Sequence, residues 1–227
     1  MKKIIVGFAL MGIAFSSLAL DKAELDNRIR RLTSKFLAMQ EKPDKSVPVD
    51  QLRRAHGVIL LDRTKAGFIF AYQGGGGVAM VKDSKTKKWS PPAFLTANEA
   101  SLGFQVGGEQ NFYVILLMTT NAAKSLADAR FEFGGEARGT AGEESAGEEG
   151  KVTTDEQPVL VYDDRKGLYG GAAIKGGALA PDDEANRVYY EQAVTLHDVL
   201  FEKKVKPGKA AIELTEKLNE AQNKKKE

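Results

Sequence analysis

No cysteine occurs in the 227 residues of the chain. This excludes a disulfide framework, a thiolate nucleophile, an iron–sulfur cluster and a cysteine-based zinc site. Histidine is scarce: only His56 and His197 are present, far apart and in no shared motif. Imidazole catalysis and histidine metal clusters therefore have little to draw on. Neither sign of charge dominates, with 33 Lys and Arg against 31 Asp and Glu. No global field draws the chain to polyanions, and no aromatic-plus-basic RNA motif is present, so a nucleic-acid partner is not expected. Sequence signatures of catalysis are missing as well. There is no G-x-S-x-G elbow. Gly74 to Gly77 lacks the Lys-Ser/Thr of a phosphate loop and reads as a turn. Asp163-Asp164 and Asp182-Asp183-Glu184 lack the ligand spacing and central glycine of a calcium loop. No catalytic residue, metal or cofactor is expected. Carboxylates paired from separate strands keep a hydrolase open as the least favoured alternative.

What is present begins with a leader. Lys2 and Lys3 precede an apolar run from Ile4 to Phe15, followed by Ser17 and Ala19, small residues two apart. The pattern predicts a secretory signal over 1–19, cleaved after Ala19; an uncleaved anchor is the alternative. Removing the two lysines leaves 31 bases against 31 acids. The expected location is periplasmic or secreted, with membrane association from a local patch.

Residues 20–44 read as one amphipathic helix. Asp21 and Glu24 fit a capping box, and Leu25, Ile29, Leu32, Phe36 and Met39 fall on one face. Arg28, Arg31 and Lys35 flank that face, so these bases and Phe36 are candidates for contact with an anionic membrane. Packing on the chain's own domain explains the same stripe and is favoured about two to one on general grounds.

Residues 45–203 read as a domain of short strands with glycine-rich turns: Val58 to Leu61, Ala66 to Tyr72, Val78 to Val81, Leu102 to Gly107, Phe112 to Met118, Phe131 to Phe133, Val159 to Tyr162 and Leu168 to Leu179. Lys82 to Lys88 forms a hairpin tip, and Asn121 to Ala129 a short helix. Residues 134–155 are acidic and poor in large apolar side chains, and read as a mobile loop. Two short helices follow Pro181, and 204–227 is a charged helix and tail. The fold class expected is α+β: a mainly antiparallel sandwich or barrel-like core with flanking N- and C-terminal helices.

Between Ala55 and about Leu200 an ordered series of motifs occurs. It runs through Ala55-His56-Gly57-Val58, Lys65-Ala66-Gly67-Phe68, Gly75-Gly76-Gly77-Val78 and Trp89-Ser90-Pro91-Pro92-Ala93-Phe94. It continues with Ser101 to Gly107, Lys166-Gly167-Leu168-Tyr169-Gly170-Gly171, Ala185-Asn186 and Tyr189-Tyr190. The series resembles the SYLF lipid-binding domain of bacterial exported proteins and eukaryotic endocytic adaptors. The resemblance implies an antiparallel β domain with flanking helices that binds membrane lipids, phosphoinositides in the eukaryotic members. Here His56, Gly142-Glu143-Glu144-Ser145 and Asp163-Asp164 stand where the family usually has a lysine, an arginine-bearing segment and serines. The exchange toward negative charge points to other anionic lipids.

A lipid phosphate needs Arg or Lys donors on a surface. The candidates are Arg53, Arg54, Arg63 and Lys65, the hairpin bases Lys82, Lys85, Lys87 and Lys88, and Lys166, with Trp89 as an interfacial anchor. For single residues, solvated tip lysines and a core tryptophan explain the pattern somewhat better. The function expected is an exported, non-catalytic, peripheral module on anionic phospholipid surfaces. A periplasmic or envelope scaffold that grips a protein partner is the alternative.

Overall fold

In the computed structural model, residues 20–66, 72–97, 110–128, 131–133, 157–164, 167–169 and 177–224 are described. The leader at 1–19, the acidic segment 134–155, the 101–107 motif and Lys166 lie outside them.

Helix α1 (Lys22–Gln40) starts where Asp21 accepts the Glu24 N–H at 2.7 Å. It ends at Glu41, two residues before Pro43. Its apolar stripe is fully used: Leu25, Ile29, Leu32, Phe36 and Met39 are all buried. The short helix α2 (Val49–Arg54) leads into strand β1 (Gly57–Ala66), then β2 (Tyr72–Val81), β3 (Ala93–Ala97) and β4 (Gln110–Leu117). Helix α3 (Thr120–Lys124) and a 3-10 turn over Ser125–Ala127 precede β5 (Phe131–Phe133), β6 (Val159–Asp163), β7 (Gly167–Tyr169) and β8 (Gly177–Pro181). The chain closes with α4 (Asp183–Tyr190), α5 (Leu196–Leu200) and α6 (Lys209–Asn223).

All eight strands form one antiparallel sheet in the order β5-β8-β3-β2-β1-β4-β6-β7. With the helices packed on it, this is the α+β arrangement the sequence implies. A single sheet covered by helices stands where two facing sheets were one expectation. By register Leu60, Val78 and Phe94 share a face, and Phe94 meets the Tyr189 ring of α4 at 5.2 Å. Neighbours on the opposite face, Leu61 and Leu95, are buried too. Burial on both faces explains why Val58 to Leu61 and Phe112 to Leu117 read as continuous apolar runs.

Gly74 to Gly77 do not form the expected turn; they pair with Thr64, Arg63, Asp62 and Leu61 inside β2. A Cβ on Gly77 would lie 2.5 Å from the Leu60 carbonyl oxygen, and one on Gly76 would lie 3.2 Å from the Arg28 guanidinium. Close approach of neighbouring backbone and of α1, not chain reversal, requires glycine there. The expected strand from Leu168 to Leu179 is likewise two separate strands, β7 and β8, at opposite sides of the sheet. Helices α1 and α6 belong to the same hydrophobic core as the sheet, through Leu25 to Met39 and through Ala210, Leu214 and Leu218.

Candidate functional site: a cationic cleft between a hairpin and two helix ends

Helix α2 carries Arg53 and Arg54 in its last turn, where cations complement the partial negative charge of the carbonyl end. The free carbonyls there are taken by a base from elsewhere. Lys82 Nζ, at the end of β2, donates to Arg53 O at 2.9 Å and Leu52 O at 3.3 Å. The same ammonium lies 4.4 Å from the centre of the Trp89 ring. Burial, and then the nearby Lys87, push its pKa down from 10.5 to about 8.

The tip beyond Lys82 is held by Asp83. Its carboxylate accepts the N–H groups of Thr86 at 2.7 Å and Lys85 at 2.9 Å, and pairs with Lys203 at 2.9 Å. The Thr86 hydrogen bond and then Lys203 hold this carboxyl well below the usual carboxylate range. The backbones of Asp83 and Lys88 bond at 2.9 Å, and Lys87 takes a left-handed φ of 56°. That conformation is costly for lysine, and the surrounding turn imposes it.

The third wall is the end of α6. Arg53 donates to the Gln222 carbonyl at 3.2 Å and to Asp50 at 3.2 Å, tying α2 to α6. Between hairpin, α2 and α6 lies a cleft of about 400 Å³ lined by Arg53, Arg54, His56, Lys82, Lys87 and Asp83, with Gln222 and Asn223. With histidine neutral, four cations and one anion give this lining a net charge of +3.

Arg53, Arg54, Lys82 and Lys87 are thus brought together from two segments that the sequence leaves apart. Lys85 and Lys88 are exposed on the same tip but do not line the cleft. Trp89 is 6% exposed and serves as the floor beneath Lys82, not as a protruding anchor. Arg63 and Lys65 sit toward the far end of β1 from His56. At ~3.3 Å per residue they are roughly 20 Å or more from the cleft. Sequence reasoning missed His56 as a lining residue, with Nδ1 3.4 Å from Thr120 Oγ1, and also missed Lys203 and the α6 terminus.

The bases of α1 are placed elsewhere. Lys35 and Arg31 lie 2.7 and 3.6 Å from the Asp62 carboxylate of β1. Arg28 lies 3.6 Å from Asp182 and over the Phe94 ring. Phe36 is buried in the core beneath them.

A buried α+β core with a cationic cleft on its described surface suits a binding module. A protein-family model described as "Ysc84: Las17-binding protein actin regulator" matches residues 98–221, more than half of the chain. The chain belongs to this family, that of the SYLF domain. It is 29% identical over 170 residues to "SH3 domain-containing YSC84-like protein 1" of Homo sapiens, covering 74% of this chain and 49% of that protein. It is 31% identical over 177 residues to "LAS seventeen-binding protein 3" of Saccharomyces cerevisiae, covering 74% of this chain and 38% of that protein. The chain thus spans about half or less of the length of these relatives.

Proposed function

We propose that the chain is an exported, non-catalytic, peripheral module that binds anionic membrane lipids through the cationic cleft. One observation carries this reading: four bases from α2 and the hairpin line a single opening although the whole chain has a formal net charge of only +2. Each base is worth ~1 kcal/mol near an anionic leaflet, so the lining's net +3 supports attachment of roughly 3 kcal/mol. That strength gives reversible, salt-sensitive binding. No described helix is long and apolar enough to cross a membrane. Export rests on the sequence of 1–19 alone.

Cosedimentation with phosphatidylglycerol vesicles at low salt tests the reading. Pelleting should fall steeply as salt rises and be absent on phosphatidylcholine. Equal pelleting on both, or on neither, would overturn it. A second reading follows from the printed names: the family description and the yeast relative refer to binding Las17, a protein. A protein partner held by this module is therefore the alternative, and retention of a partner by a variant that no longer binds vesicles would favour it.

A further inference from the structure

A second hollow lies on the other side of the α2–α6 contact. It is a groove of about 580 Å³ with Leu37, Val47, Pro48, Val49 and Ala221 as its apolar lining and a rim that carries Glu41, Asp50, Lys217, Glu220 and Lys224. Its size is that of a small-molecule pocket. Its outer wall is pre-formed: the Gln40 amide accepts the Val47 N–H at 2.8 Å and donates to the Val47 carbonyl at 3.3 Å. Much of its rim charge is already paired, Lys217 with Glu220 at 2.8 Å and Asp50 with Arg53 at 3.2 Å.

The two hollows adjoin at one seam, the Asp50–Arg53 ion pair. Asp50 lines the groove and Arg53 lines the cleft, and the two side chains are bonded to each other. On α6, Ala221 faces the groove and the adjacent Gln222 the cleft. A cationic opening and one with an apolar wall under a charged rim, a single ion pair apart, match the two ends of one amphiphile. From this, and resting on the lipid-binding reading above, we infer that the groove takes the hydrocarbon chain of the lipid whose phosphate lies in the cleft. The ligand class is then a single-chain phosphate amphiphile, held by both ends, and not a headgroup alone.

Calorimetry on the full chain with glycerol 3-phosphate and with 1-hexanoyl and 1-decanoyl lysophosphatidate, below their micelle concentrations, tests this. Each seated methylene is worth about threefold to fourfold in affinity, so the decanoyl probe should bind at least tenfold tighter than the hexanoyl one. Ala221→Trp, which fills the groove, should erase that gain and leave glycerol 3-phosphate unaffected. Leu37→Glu, at a half-buried wall position, should do the same should the first variant misfold. Lys87→Glu should weaken all three probes alike. Affinity independent of chain length while glycerol 3-phosphate binds, or a chain-length gain untouched by both groove variants, would overturn the groove assignment alone. Failure of every probe together with failure of anionic vesicles to pellet the protein would overturn the lipid reading beneath it.

Discussion

Asn186 shows how a short motif acquires a physical reason. It is fully buried on α4, and its amide accepts the Phe94 N–H at 2.8 Å and donates to the Phe94 carbonyl at 3.2 Å. One side chain stands in for a neighbouring strand along β3 at that point. Tyr190 likewise donates to the Pro92 carbonyl at 2.6 Å, and Tyr189 to Asp26 at 3.1 Å. The Pro91-Pro92, Ala185-Asn186 and Tyr189-Tyr190 motifs are thus parts of one joint between β3, α4 and α1. The motifs were legible in the sequence; their meeting was not, because some ninety residues separate Phe94 from Asn186. Asn186→Leu leaves the buried Phe94 N–H without its partner, while the Phe94 carbonyl still accepts the Asp182 N–H at 3.0 Å. Urea denaturation should show a loss of about 1–3 kcal/mol, the cost of one orphaned buried group.

Two lysines of the cleft make separate predictions at the same scale. Lys87 holds a left-handed backbone that asparagine tolerates better. Lys87→Asn should change stability by less than about 1 kcal/mol while weakening vesicle binding, a split read by denaturation and cosedimentation in parallel. Lys82 titrates near 8 in place of 10.5. As pH rises through 8 the cleft loses one positive charge, so vesicle binding should fall between about pH 7 and 9, earlier than exposed lysines dictate. Stability moves the other way. The charged form is disfavoured in the folded state, so its cost is present below pH 8 and is relieved as pH rises from about 8 to 10.5. Lys82→Arg, which stays charged, should remove the step in binding.

Among the elements, α1 decides between two uses of one amphipathic stripe. Undocking it would expose Leu25, Ile29, Leu32, Phe36 and Met39, all buried. At ~1.5–3 kcal/mol per side chain this costs roughly 10 kcal/mol. Arg28, Arg31 and Lys35 would recover only ~1 kcal/mol each at an anionic surface. The helix therefore stays on its own sheet, and its bases serve Asp62 and Asp182. Phe36→Ala should cost ~3–5 kcal/mol in denaturant without a specific effect on vesicle binding by the folded fraction. The spacing of the stripe predicted the helix and its apolar face. The partner of that face was not legible, since a core and a bilayer demand the same periodicity. The same ambiguity governs Gly74 to Gly77, where a run of glycines signals either a turn or a close approach, and only Arg28 and Leu60 in three dimensions decide.

For the whole molecule, charge balance makes location the central question. The α+β class and most strands follow from alternating and continuous apolar runs. The strand order does not, because β3 pairs with β8 and β4 with β6 across long stretches of chain, where pairing leaves no local signal. The cleft is of the same kind: each wall reads as an ordinary basic turn or helix end, and only the fold makes them one opening. The most direct measurement is hydrogen exchange on the protein with and without phosphatidylglycerol vesicles at low salt. The account predicts slowed exchange at 50–54, 82–88 and 220–224, with 22–35 of α1 unchanged. Slowed exchange along α1 with none at the hairpin would contradict it.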